Sequence, residues 1–252
     1  MKTLFQPILI NTFRKKSVWL FWLFALSPFV VMIAMSINSS FLQISGEAET
    51  LSSLEFFSMF YGVLHNSTLP MIILAFIVSS LFYEEVNDGI LFMFKDISKT
   101  KILLSKWLTL FIMHAFFLAI LLISTMIVYF TYLTNYEFAS GTLFPISAGD
   151  IATVLVPTLG MYFIEVITIT VAIALSINLS TGWTILGTLI FILFTSIAPL
   201  LKTAKYIVPN GYDEMIGEAS LGVIMLIISS IFLIYFFISL FYSMYKYKRI
   251  EY

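Results

Sequence analysis

Residues 108–130 read LTLFIMHAFFLAILLISTMIVYF, 23 consecutive positions without an aspartate, glutamate, lysine or arginine. At 1.5 Å per residue a helix of this length reaches roughly 35 Å, enough to cross the ~30 Å hydrocarbon core of a bilayer. Five further stretches share its character, at residues 18–37, 60–82, 151–175, 183–198 and 221–242. The fifth of the six in chain order is the shortest. It stops before Pro199, so it either crosses with help from the turn at residues 176–182 or ends as a re-entrant helix.

Composition agrees with a bilayer environment. Hydrophobic residues make up 60% of the 252 positions and charged residues only 11%, with a mean hydropathy of +1.02. That inventory is too apolar to clothe a soluble domain. The net charge of −1 gives no basis for nucleic-acid binding. The absence of cysteine excludes disulfides, thiol nucleophiles and thiolate metal sites.

Charge sorting sets the expected topology. With the N-terminus inside, Lys2, Arg14, Lys15, Lys16, Lys95, Lys99, Lys101, Lys106, Lys246, Lys248 and Arg249 all fall on the cytoplasmic side. Only Lys202 and Lys205 fall outside, which is the positive-inside pattern for six spans with both termini cytoplasmic. Arg14, Lys15 and Lys16 ahead of an apolar run imitate a signal peptide, but the run is long and lacks a small-x-small cleavage site. A retained first helix is therefore expected. Before it, Leu4, Phe5, Ile8, Leu9 and Phe13 recur at helical spacing, so residues 1–16 are expected to form an interfacial helix lying on the membrane lipid.

The largest internal cytoplasmic connection, residues 83–106, reads YEEVNDGILFMFKDISKTKILLSK. Glu84 and Glu85 close the second span, Gly89 permits a turn, and Ile90, Leu91, Phe94 and Ile97 suit one face of a short helix. Such a segment is either an ordinary charged loop obeying topology or a docking element for a soluble partner. The order of Glu85, Gly89, an apolar stretch, Ile97, Ser98, Lys99, Leu103, Leu104 and Lys106 resembles the corresponding segment of ABC-2 type permeases. The pattern departs from that family at Ile90, where threonine is frequent, at Asp96, where proline is, and at Ser105, where glycine is.

The resemblance extends over nearly the whole chain and implies a single ABC-2 type transmembrane domain over residues 1–252. It implies an all-α polytopic fold in a bacterial plasma membrane. It also implies a second permease copy, as a homodimer or with a related permease, and a separate nucleotide-binding ATPase subunit that holds the ATP and Mg. No phosphate-binding G-x-x-x-x-G-K-[ST] occurs in this chain, and no cofactor or catalytic residue of its own is expected. By the resemblance Glu84, Glu85, Gly89, Asp96, Ile97 and Lys99, with Phe5 and Leu9 of the N-terminal helix, are the candidate ATPase-coupling residues. Within that family the short outer connections look like those of exporters of a hydrophobic or amphipathic substrate, a peptide or a drug-like molecule, which is what the resemblance implies here.

Glu165 is the only acidic side chain deep within an expected span. Thr158, Tyr162 and Thr168 fall near its face, giving a polar stripe that either lines a transport pathway or holds a structural, hydrogen-bonded glutamate. His65 and His114 sit on different spans and read more readily as packing groups than as a metal site. Trp19, Trp22, Trp107 and Trp183 are expected to include interfacial anchors. Two other functions compete. An intramembrane protease of the CAAX-processing type is suggested by Glu84 and Glu85 and by the membrane histidines His65 and His114, but the arginine its E-E-x-x-x-R motif requires is Gly89 here. A noncatalytic immunity or assembly protein remains the third.

Overall fold

A computed structural model describes residues 2–37, 49–89, 97–146 and 150–249. Nine α-helices appear among them: α1 (Lys2–Phe13), α2 (Lys16–Leu23), α3 (Ser27–Ser36), α4 (Ser53–His65), α5 (Thr68–Asn87), α6 (Lys99–Thr131), α7 (Asp150–Ser176), α8 (Thr181–Ile197) and α9 (Leu221–Lys248). The described β-structure is limited to the isolated bridges Leu51–Ala139 and Ile216–Ala219. Six helical segments are long and apolar enough to cross a membrane: Lys16–Ser36, Thr68–Asn87, Lys99–Asn135, Ile151–Ser176, Thr181–Leu200 and Leu221–Lys248. The short fifth stretch is thus extended at both ends to 20 residues, its far end by a 3-10 turn at Ala198–Leu200. The chain is an all-helical protein of multi-pass membrane character.

Prolines decide where the long helices break. The apolar stretch at residues 60–82 is expected as one helix, yet it divides at Asn66–Ser67 between α4 and α5. Pro70 supplies the cause: it has no N–H to offer the carbonyl of Asn66 four residues back, and its ring crowds that carbonyl. Side chains add to the last carbonyls of α4, with Asn66 Nδ2 donating to the Gly62 carbonyl at 2.9 Å beside the Asn66 backbone N–H, and Ser67 Oγ donating to Val63 at 2.8 Å. The same logic tightens the first span into a 3-10 turn at Phe24–Leu26, four residues and fewer before Pro28.

α7 forms the centre, packing against α4, α5, α8 and α9. Its residues Ile164 to Thr170 are all buried, and 56% of its most apolar window is enclosed, against 11% for α9. α9 therefore presents most of its surface outward, as a lipid-facing helix does. α6 forms a second axis, carrying α1, α2, α3 and α4 along its length. α1 ends at the turn Arg14–Lys15 and lies on α6, with Leu4 and Phe13 against the core and Gln6, Pro7 and Ile10 exposed.

The two ends differ. At the end that carries Glu49, Glu55 and Glu137 the segment before α4 is stitched to the one after α6: Leu51 N donates to Phe138 O at 2.9 Å and Ser53 N to Thr142 O at 3.0 Å. Tyr129 Oη caps this join by donating to the Leu51 carbonyl at 2.6 Å. Between α8 and α9 the chain folds back in short 3-10 turns on the side of α7. Gly160 is what lets it approach, since a Cβ there would stand 2.9 Å from the Asn210 Cα.

Gly160→Ala is therefore expected to push the 208–211 segment away and cost about 1–3 kcal/mol, the usual effect of overpacking. Gly222→Ala, which meets nothing within 4 Å, serves as the control and should leave stability unchanged or slightly raised. Thermal midpoints of the two purified variants in the same detergent check this; equal midpoints would show that the close approach does not constrain the fold.

Candidate functional site

Three helices converge on one carboxylate. Glu165, near the middle of α7, is 1% exposed. Tyr61 of α4 donates its hydroxyl to Oε2 at 2.7 Å. One turn further along α4, His65 places Nδ1 3.3 Å from Oε1. His114, from the middle of α6, brings Nε2 to 3.0 Å from Oε2, within ion-pair distance though without the alignment of a full hydrogen bond. Its other nitrogen, Nδ1, is buried without a partner among the described residues. The imidazole is held by rings on either side, Phe117 and Tyr162, each nearly parallel to it with centroids 6.1 Å away.

This arrangement answers the cost of a carboxylate in hydrocarbon by surrounding it with donors from neighbouring helices. It also fixes what the cluster is not. The imidazoles face opposite oxygens of one carboxylate and do not point to a common centre, and no metal-binding group of His, Asp and Glu occurs among the described residues. The sequence reading of His65 and His114 as hydrogen-bonded packing groups did not say what they pack on; the fold brings both to Glu165. A signal was present, since Tyr61 and His65 stand four apart and share a helical face, but pairing them with His114 and Glu165 needed the tertiary packing.

A second cluster lies at the basic end. Lys106, 1% exposed, places Nζ 2.8 Å from Glu85 Oε2 and donates a short hydrogen bond to the Leu81 carbonyl. The ammonium also stands over the Phe82 ring, 5.2 Å from its centroid. Lys15, at the elbow between α1 and α2, donates to Ser80 Oγ at 3.1 Å and to the Ser80 carbonyl at 3.3 Å. Burial pushes the Lys15 ammonium down from the ordinary lysine range, and the carboxylates of Glu85 and Glu84 partly offset this. Ser79 donates to Thr181 Oγ1 at 3.0 Å, and Thr181 donates to Glu84 Oε1 at 3.4 Å, joining the start of α8. The elbow, the end of α5 and the starts of α6 and α8 thus meet in one polar knot. Lys106 and Lys15, which the charge sorting placed only on the cytoplasmic side, are built into it.

The remaining sequence candidates separate. Gly89 adopts φ +72°, the left-handed turn expected of it, and Ile97 packs half-buried against the main core. Lys99 Nζ reaches the Lys248 carbonyl at 3.5 Å, linking the starts and ends of α6 and α9. Phe5 and Leu9 are half-buried on α1, while Asp96 lies outside the described residues. Of the polar stripe, Thr158 donates to Ser58 of α4 at 2.9 Å, Tyr162 stacks on His114, and Thr168 turns back to the Ile164 carbonyl at 2.8 Å. The stripe faces α4 and α6. Trp19 and Trp183 are each 64% exposed, as anchors would be, whereas Trp22 donates to the Met113 carbonyl at 3.1 Å and Trp107 is buried.

Glu165→Ala strands three donors around an empty acceptor site and is expected to cost about 3–5 kcal/mol, as breaking a buried charged network does. Glu165→Gln keeps one acceptor oxygen and should cost less. The two are ranked by the fraction of protein that stays monodisperse after graded heating in detergent, and an alanine variant as stable as the native chain would remove the cluster's structural role. No protein-family model, curated protein or solved structure matches the chain, so its function is argued from these two clusters.

Proposed function

We propose that this chain is the membrane permease subunit of an ATP-driven exporter in a bacterial plasma membrane. It works with a separate nucleotide-binding ATPase that holds ATP and Mg, and with a second permease, identical or related. It moves a hydrophobic or amphipathic substrate and catalyses nothing itself. The observation that supports this most is the polar knot at the basic end. Both ends of the charged 83–106 segment are clamped there by the Glu85–Lys106 pair, and the α1–α2 elbow is clamped with them through Lys15.

A buried, well-connected joint transmits displacement better than a solvated loop, because packed interfaces shift between discrete arrangements. Force applied by a soluble partner at residues 83–106 would reach α5 and α6 directly. Along α6 it meets His114 eight residues, or roughly 12 Å, beyond Lys106, where α4 and α7 are tied through Glu165. A groove of about 440 Å³ between α4 and α7, lined by Ser58, Met59, Gly62, Pro157 and Met161 among others, descends from Glu55 toward this level. Its flexible methionines suit an adaptable apolar cargo.

The protease alternative fits the geometry poorly. Glu84 and Glu85 stand at the far end of α5 from His65, separated by roughly 25 Å of helix, and both histidines face Glu165.

Mild-detergent purification of the tagged chain is expected to recover a stoichiometric ATPase subunit and ATP hydrolysis. Lys106→Met should retain that subunit yet lose substrate-stimulated hydrolysis, and Glu165→Gln should lower transport while the complex still assembles. Intact protein recovered repeatedly without an ATPase would favour a noncatalytic immunity or assembly role instead.

A further inference from the structure

The halves of α7 and α9 nearest the basic end enclose a groove of about 430 Å³ that neither cluster uses. Val171 and Leu175 of α7, with Asn178 in the turn just after it, form one wall, and Tyr235, Ile238 and Tyr242 of α9 the other. Along α9, from Tyr235 to Tyr242, it runs roughly 10 Å. The lining is apolar apart from a few groups, of which Ser239 is already engaged with the Thr170 carbonyl at 2.9 Å. Ile238 and Tyr242 are 64% and 45% exposed, so the groove opens sideways, toward bilayer lipid.

Its chemistry is one-ended. Tyr242 and Asn178 stand at the mouth, and Lys246, one turn beyond Tyr242, holds its ammonium 5.9 Å from the Tyr242 ring centroid. Arg249 follows, its guanidinium 4.1 Å from the Tyr245 ring. Among the described residues no carboxylate pairs with Lys246 or Arg249. An apolar slot ending in cations over aromatic rings matches a molecule with a long hydrocarbon tail and an anionic head.

We propose that this groove binds an anionic phospholipid of the leaflet on the basic side, with an acyl chain along α7 and α9 and the phosphate at Lys246. The depth agrees, since Lys246 lies in the last turns of α9, one turn beyond Tyr242 at the end of the groove. The proposal requires only that the helices stand in a bilayer. It is independent of any ATPase partner, so its failure and that of the exporter reading are distinguishable.

The test uses the purified full chain in nanodiscs of mixed dioleoyl phosphatidylglycerol and dioleoyl phosphatidylethanolamine, with retained lipid counted by native mass spectrometry after transfer to detergent. Phosphatidylglycerol is expected to be retained preferentially. Lys246→Ala should lower its retention about fivefold, the effect of one cation at a lipid phosphate, while Lys202→Ala at the opposite end leaves it unchanged. Dihexanoyl phosphatidylglycerol, too short to fill the groove, should compete poorly with the dioleoyl form. Equal retention of the two headgroups, or an unchanged Lys246→Ala variant, would overturn the proposal, and short chains competing as well as long ones would remove the groove from it.

Discussion

A single carboxylate at mid-helix constrains much of this architecture. Hydrocarbon offers Glu165 no water, so its oxygens have to be met by protein donors, and these have to come from other helices because α7 spends its own N–H groups on its backbone ladder. Tyr61 and His65 from α4 and His114 from α6 meet that requirement. Three helices are thereby fixed in rotation and in height relative to one another, which general apolar packing among leucines and phenylalanines does not do by itself. The continuous burial of Ile164 to Thr170 reflects the same convergence.

Proline placement makes the convergence geometrically available. Without the break at Asn66–Ser67, α4 and α5 would continue as one rod of 33 or more residues. With it, α4 takes its own direction beside α6 and α7, and α5 its own beside α7, α8 and α2. At the break the side chains of Asn66 and Ser67 fold back onto carbonyls of the last turn of α4.

The basic end applies the same rule to cations. Lys106 is tolerated at 1% exposure because a carboxylate, a backbone carbonyl and an aromatic face surround its ammonium. That pairing binds the two helices flanking the charged connection into one joint, and Lys15 adds the N-terminal elbow to it. The lysines left outside the knot differ in kind: Lys246 and the nearby Arg249 rest on tyrosine rings at the rim, where tail and headgroup regions of a lipid would meet.

Much of the coarse fold was legible in the chain, because a bilayer span needs some twenty apolar residues and nothing else in a sequence imitates residues 108–130. Helix content, the count of long apolar segments, the separate N-terminal helix, the turn at Gly89 and the sorting of basic residues to one end all follow from local composition and periodicity. Glu165 stood out as costly for the same reason. Its partners did not, since helical periodicity places a residue on a face but does not say which other helix that face meets. The division of residues 60–82 was marked by Pro70, whose effect depends on whether neighbouring groups can satisfy the broken ladder. That Lys106 and Lys15 are structural and not solvated was decided by tertiary structure alone: charge gives a side chain its side of the membrane, while only packing supplies the carboxylate and carbonyls that let it be buried.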